Sequence, residues 1–135
     1  MPRSNEIREF LESLAARRCA ERASAAVVET LEGILRTQAK AIAISDAEEY
    51  FRTNTAFHSA IAQASGNGRL IAFQSSLRKQ MALALRHIAQ KREHMQPGLR
   101  EHQRILRAIR AHDADKAEQA MRAHIAATSA RLRRH

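Results

Sequence analysis

The chain has one cysteine, one tyrosine, no tryptophan, four glycines and two prolines. A lone thiol, Cys19, excludes an internal disulfide and suits a reducing compartment. With so little glycine and proline there is little punctuation, so the chain is expected to run in long uninterrupted elements. Aromatic residues are 4% of the chain, too few for a basic surface interleaved with stacking rings. No apolar run is long enough to span a bilayer, and Met1-Pro2-Arg3-Ser4 leads into a charged segment rather than an apolar signal core. The default expectation is therefore a cytoplasmic protein without membrane contact. Glycine-rich phosphate loops, nucleophile elbows, His-Glu-x-x-His and the Glu-x-x-His of di-iron bundles are all missing.

What is present points to helices. At 135 residues the chain is one domain, able to bury roughly two-thirds of the surface its unfolded form exposes. Hydrophobic residues make up 44% and charged residues 27%, and the composition is rich in Ala, Leu, Arg and Glu, which lose little side-chain freedom in a helix. The fold class read from composition is all-α. A net charge of +9 raises the question of nucleic acid. In sequence the basic residues are scattered: Arg17, Arg18 and Arg22, then Arg107 and Arg110, then Arg131, Arg133 and Arg134. Solvated helix faces account for most of that charge, and a DNA-tethered protein would carry the same bias.

Punctuation and period give about six helices in an antiparallel bundle. Ser4 caps a first helix through about Glu21, with Ile7, Phe10, Leu11, Leu14 and Ala15 as its apolar stripe. Ser24 starts a second, with Val27, Val28, Leu31, Ile34 and Leu35 inward. Ser45 to Glu48 reads as a capping box opening a third helix to about Ser65. Gly66 then ends it and Asn67 caps a fourth, whose stripe is Leu70, Phe73, Leu77, Met81, Ala84 and Ile88. A fifth helix follows Pro97-Gly98 to about Ala111, and Asp113 caps the sixth.

Three histidines interrupt these stripes. His58 follows Phe57 on the third helix, His102 lies between Leu99 and Ile105 on the fifth, and His124 follows Met121 on the sixth. Histidine is a poor core residue unless its ring nitrogens are satisfied, and imidazoles converging from separate helices are what a divalent metal needs. Zn or Ni suits such a set best, and Mn or Fe also fits. Asn54, one turn before His58, offers an oxygen donor that completes four protein ligands. The open coordination positions would accept water or a ligand carboxylate.

The segments Asn54-Thr55-Ala56-Phe57-His58-Ser59-Ala60-Ile61, Ala64-Ser65-Gly66-Asn67, Glu101 to Ile109, Asp113 with Ala117, and Met121-Arg122-Ala123-His124-Ile125 resemble the C-terminal effector domain (FCD) of FadR-subfamily GntR regulators. Arg8-Glu9-Phe10-Leu11-Glu12 and Leu14-Ala15-Ala16 resemble that domain's first helix. The likeness covers nearly the whole chain in order and spacing. It implies a helical bundle that dimerises and binds a small organic acid or related metabolite, with a pocket metal held by three histidines and an aspartate. Those histidines match His58, His102 and His124, and the aspartate position holds Asn54, a neutral donor that implies weaker metal affinity. Family members carry a winged helix-turn-helix domain ahead of this one. Here the first helix begins within a few residues of Met1, so residues 1–135 read as the effector and dimerisation domain alone, either excised or encoded as a solitary sensor. DNA would be reached only through that missing domain.

Several other residues are candidates for the pocket. Arg86 suits a ligand carboxylate, and Gln80, His87, Thr128 and Ser76 are polar groups near the inward stripes. His94, His112 and His135 fall in or beside loops and are expected in solvent. Arg8 and Glu12 are spaced as a surface i,i+4 pair, Cys19 as packing, and Met81 and Met121 as core. The leading expectation is a ligand-sensing regulatory domain, not an enzyme. The rival is a small hydrolase-like metalloenzyme using the same three histidines. Against the rival, no Glu or Asp is expected on the inward stripes to serve as general base.

Overall fold

The computed structural model describes residues 2–133, with side chains from Glu6 to Arg133. Seven helices follow one another: α1 (Pro2–Arg22), α2 (Ala25–Ala43), α3 (Ala47–Ala64), α4 (Gly68–Gln80), α5 (Ala82–Ala89), α6 (Arg92–Arg110) and α7 (Ala114–Arg133). Among the described residues there is no strand, so the all-α reading holds. No helix is long and apolar enough to cross a membrane.

The helix starts follow capping chemistry. Ser24, Asp46, Asn67 and Asp113 each accept from the backbone amide three residues on, at 3.2, 3.1, 3.1 and 3.0 Å. The cap of α3 is thus Asp46 with Glu49, one residue later than the Ser45–Glu48 box. Ser45 instead takes a left-handed conformation, φ 56°, which ends α2. Gly66, φ 71°, ends α3 as expected, and a Cβ there would meet the Arg22 guanidinium at 2.8 Å. Ser4 lies inside α1 rather than capping it, because the helix already starts at Pro2.

Two expected boundaries move. The fourth helix does not continue to Ile88; it breaks at Met81 (φ −98°, ψ 4°) into α4 and α5, with no proline or glycine to mark the break. The helix expected after Pro97-Gly98 begins earlier, at Arg92, and carries Pro97 inside it. Proline there removes only the bond to the carbonyl of Glu93, an exposed first-turn residue. Gly98 is needed for a different reason. A Cβ on it would lie 2.1 Å from the Tyr50 hydroxyl, so α6 passes this ring only at a glycine.

Packing places α1 along α7, α2 between α3 and α6, and α6 beside α7. Leu31, Phe57, Ile61, Ile105, Ile109, Met121 and Ile125 form the fully buried centre. The stripes read for α6 and α7 are the buried ones: Leu99, His102, Ile105, Leu106 and Ile109, then Ala117, Met121, His124 and Thr128. Cys19 is buried as a packing residue, and Met81 is half-buried at the helix break.

The registers of α1 and α4 differ from the apolar reading. Ile7 and Phe10 are 53% and 65% exposed, while Arg8, Glu12 and Ser13 are buried. On α4, Phe73 is 61% exposed and Leu70, Gln74 and Arg78 face inward. Ala84 on α5 is exposed as well. Both helices turn polar side chains toward the interior because the interior they face is polar.

Candidate metal centre

His58 on α3, His102 on α6 and His124 on α7 meet in one chamber, 0%, 0% and 4% exposed. Their ring centroids lie 5.4 Å (58–102), 5.1 Å (58–124) and 4.7 Å (102–124) apart. One ring nitrogen from each comes within 4.8 Å of the others. The expectation of convergence from three helices is met.

Each ring is aimed by an acceptor on another helix. His58 Nδ1 bonds Glu12 Oε1 of α1, His102 Nδ1 bonds Gln38 Oε1 of α2 at 2.7 Å, and His124 Nδ1 bonds Glu101 Oε1 of α6 at 2.6 Å. An ionised carboxylate or an amide oxygen can only accept, so every Nδ1 carries the proton and every Nε2 presents a lone pair. Two of those lone pairs, on His58 and His124, face each other at 3.2 Å. The third, on His102, is buried with no hydrogen-bond partner.

Facing lone pairs repel unless a proton or a cation lies between them. Burial argues against the proton: it pushes the His58 imidazole down to about 3, and His102 and His124 also titrate below their ordinary range. A cation between the two nitrogens would relieve that repulsion. With Zn–N bonds of about 2.0–2.1 Å, two nitrogens on a tetrahedral edge stand roughly 3.3 Å apart, close to the observed pair. The residues present fit a divalent ion, and the carboxylates on the outer nitrogens are the partners that metal-bound histidines use.

Glu12 also corrects two expectations. It is not a surface partner of Arg8, since both side chains are 1% exposed and joined by a 2.7 Å bond from Arg8 Nε. Nor is the inward face free of acid. Burial alone would raise Glu12, but His58 and the two guanidiniums of Arg8 and Arg78 outweigh it and hold the carboxyl ionised. Glu101 is held down to about 2, burial being outweighed by its bonds from His124 and Arg131, which grips it at 3.0 and 2.6 Å. Both carboxylates sit behind the imidazoles, on the Nδ1 side, with their oxygens already engaged.

Arg78, 8% exposed, lies 3.5 Å from Glu12, and Gln74 donates to the His58 carbonyl at 3.1 Å. Arg8 Nη1, Arg78 Nε and Nη1, and Gln74 Oε1 are buried without a hydrogen-bond partner. None of these residues was singled out as a site residue from the sequence. The available signal was two i,i+4 polar pairs, Arg8–Glu12 and Gln74–Arg78, on helices that otherwise offer apolar residues.

A cavity of about 30 Å³ adjoins His124, lined among others by Tyr50, Asn54, His94, Thr128 and Arg131. Asn54 and Thr128 therefore stand beside the chamber, Thr128 with its hydroxyl donating to the His124 carbonyl at 3.0 Å. The remaining pocket candidates lie elsewhere. Arg86 pairs with Glu48 and covers the Phe51 ring at 4.4 Å. Ser76, Gln80 and His87 are exposed. His94 is half-buried at the cavity rather than in solvent, while His112 is exposed with Nδ1 3.0 Å from the Ala20 carbonyl. His135 lies outside the described residues.

Comparison with known proteins agrees with this architecture. The chain is 32% identical over 127 residues to the HTH-type transcriptional repressor NanR of Enterobacter sp. (strain 638), covering 93% of this chain and 48% of that protein. It is 30% identical over 122 residues to NanR of Edwardsiella tarda (strain FL6-60), covering 89% and 46%. The chain thus spans about half the length of these curated relatives. The solved structure of E. coli McbR/YncC superposes with a TM-score of 0.90 at 20% identity, over 98% of this chain and 64% of that one, which is a likeness of fold. Residues 4–127 match the FCD domain. On that match, and on the repressors that align along nearly its full length, the chain belongs to the FCD domain family of GntR-type regulators.

Proposed function

We propose that this chain is the ligand-sensing and dimerisation domain of a bacterial transcriptional regulator. In this reading it holds one divalent metal at His58, His102 and His124, with the Asn54 side-chain oxygen as a neutral fourth donor. The observation that carries the reading is the set of three Nε2 lone pairs turned inward while three acceptors from other helices occupy the Nδ1 protons. The metal would act as a Lewis acid, leaving coordination positions for a ligand oxygen.

The effector class follows from charge. Arg8 and Arg78 are two buried guanidiniums facing one carboxylate, Glu12, and Arg8 Nη1 and Arg78 Nε are left without a partner. With a divalent ion added, the chamber carries a surplus of positive charge, which favours a small organic acid. Binding would prefer one arrangement of the bundle over another. The output to DNA, through the N-terminal domain that the family resemblance implies, is limited to the ligand's differential affinity for the two arrangements. A homodimer would align two such outputs.

Hydrolysis fits this site less well. A general base must reach the metal-bound water, whereas Glu12 and Glu101 are occupied behind the imidazoles by histidine and arginine bonds. Calorimetry of the zinc- or nickel-loaded chain with a panel of mono-, di- and hydroxycarboxylates tests the reading. Metal-dependent heat with at least one carboxylate, abolished in His102→Ala, is expected. Elemental analysis finding no bound metal after incubation with zinc, nickel and manganese overturns it, as does turnover of generic esters.

A further inference from the structure

One outer face of the bundle, along α6 and its flanks on α2 and α7, carries a cluster of basic residues. On α6, Arg100, Arg104 and Arg107 recur at i, i+4 and i+7 and are exposed, so they form one stripe along the helix. On α2, Arg36 and Lys40 are an exposed i,i+4 pair. The Gln38–His102 bond fixes how the two helices lie side by side, which sets Arg36 and Lys40 beside the α6 stripe. Arg36, Arg107 and Arg110 line one groove between α2 and α6, and Arg104, Arg107 and Lys116 line the next, between α6 and α7. Arg107 stands on the ridge shared by both.

The acids on these grooves are already engaged. Glu32 pairs with Arg110 at 2.6 Å, and Asp113 caps α7. Among the described residues Arg36, Lys40, Arg100, Arg104 and Arg107 take part in no ion pair. By contrast Arg17, Arg18, Arg52 and Arg122, on other faces, each sit against a carboxylate. This face also carries no exposed large apolar side chain: Ile7, Phe10, Ile44, Phe73 and Leu83 all belong to other helices or to the α2–α3 turn. The apolar lining of these grooves is short alanine side chains and the edges of buried Leu35 and Leu106, so the unpaired guanidiniums dominate the face and suit a polyanion better than a protein interface.

We infer that the outer face of α6, flanked by α2 and α7, contacts the phosphate backbone of duplex DNA. The Arg100–Arg107 stripe spans roughly 10 Å, the rise of about three phosphates along one strand. This role is separate from the metal chamber, whose histidines point the other way, into the bundle. It would let the sensing domain add sequence-independent grip to DNA that another domain reads.

Fluorescence polarisation of this chain with a labelled 30-base-pair duplex of arbitrary sequence, between 50 and 200 mM salt, tests the inference. Wild type should bind at 50 mM salt with a Kd on the order of 10⁻⁵ M. The triple variant Arg36→Ser, Arg104→Ser, Arg107→Ser should weaken binding at least about tenfold and reduce the log–log salt slope by roughly 2.7, or about 0.9 per lost phosphate contact. A control carrying Arg17→Ser, Arg52→Ser and Arg122→Ser removes the same net charge from paired arginines, and should retain most of the slope. No binding by wild type at 50 mM salt overturns the inference. So does an equal loss in both variants, since net charge rather than this face would then be responsible. Unchanged melting of the α6-face variant would show that the effect is not one of folding.

Discussion

Replacing His102 with leucine separates the metal from the packing around it. In the metal-free protein, His102 Nε2 is a buried polar atom without a partner, a defect costing about 1–3 kcal/mol. Leucine removes that defect but strands Gln38 Oε1, which accepts the His102 Nδ1 proton at 2.7 Å, at a similar cost. The two changes offset, so metal-free His102→Leu should be as stable as metal-free wild type to within about 1 kcal/mol. Metal breaks the symmetry. At free zinc or nickel a hundredfold above Kd, binding stabilises wild type by about 2.7 kcal/mol. A chain of 135 residues has an unfolding entropy of about 0.28 kcal/mol/K, so the melting temperature should rise by roughly 10 °C. In His102→Leu that rise should vanish. The assay is thermal unfolding of both proteins, after chelator treatment and dialysis, across a metal titration. A metal-induced shift that survives in His102→Leu, or no shift in wild type with zinc, nickel or manganese, would refute the reasoning.

Asn54→Asp should tighten metal retention about tenfold, some 1.4 kcal/mol, in competition with a chromogenic chelator, because a charged oxygen replaces a neutral one; unchanged affinity would remove Asn54 from the coordination shell. Glu12→Leu strips the counter-charge from two buried guanidiniums and should cost about 3–5 kcal/mol by denaturant unfolding, far more than a surface i,i+4 pair could contribute. Gly98→Ala should cost about 1–3 kcal/mol, since its methyl would overlap the Tyr50 hydroxyl; Tyr50→Phe in the same chain should recover part of the loss. Burial pushes the Cys19 thiol up to about 11, so iodoacetamide at pH 8 should leave native protein unlabelled and label it fully in denaturant. The same shift implies that stability falls between pH 9 and 11, where the unfolded thiol has ionised and the folded one has not.

How legible each helix was depended on what its inner face touches. On α6 and α7 one histidine interrupts an otherwise apolar stripe, so the 3.6-residue period identifies the inner face and the histidine at once. The same held for Phe57, His58 and Ile61 on α3. On α1 and α4 the rule held only in part. Ala15 and Leu70 are in the core and Leu11 and Leu14 pack against it, but the same helices also turn Arg8, Glu12, Gln74 and Arg78 inward toward the histidine chamber and leave Ile7, Phe10 and Phe73 outside. A reading that sends only apolar side chains inward misses those positions, because it weighs transfer energy and not the hydrogen bonds that buried polar groups find. The orienting acids were missed for the same reason. Pro97 misled differently: proline within the second turn costs one backbone bond, too little to stop a helix anchored further on by Leu99, His102 and Ile105.

The cavity beside His124 has room for about one water molecule, at roughly 30 Å³. Any carboxylate is larger. If the proposed metal sits at the histidines, a carboxylate reaches it only when the wall parts, and α5, an eight-residue helix that begins after Met81 without a side-chain cap, supplies Leu85, Ile88 and Ala89 to that wall. Capture rates would then level off with rising concentration, governed by how often the wall opens rather than by collision. Once seated, a ligand would be slow to escape, giving the sensor a memory longer than its affinity alone suggests.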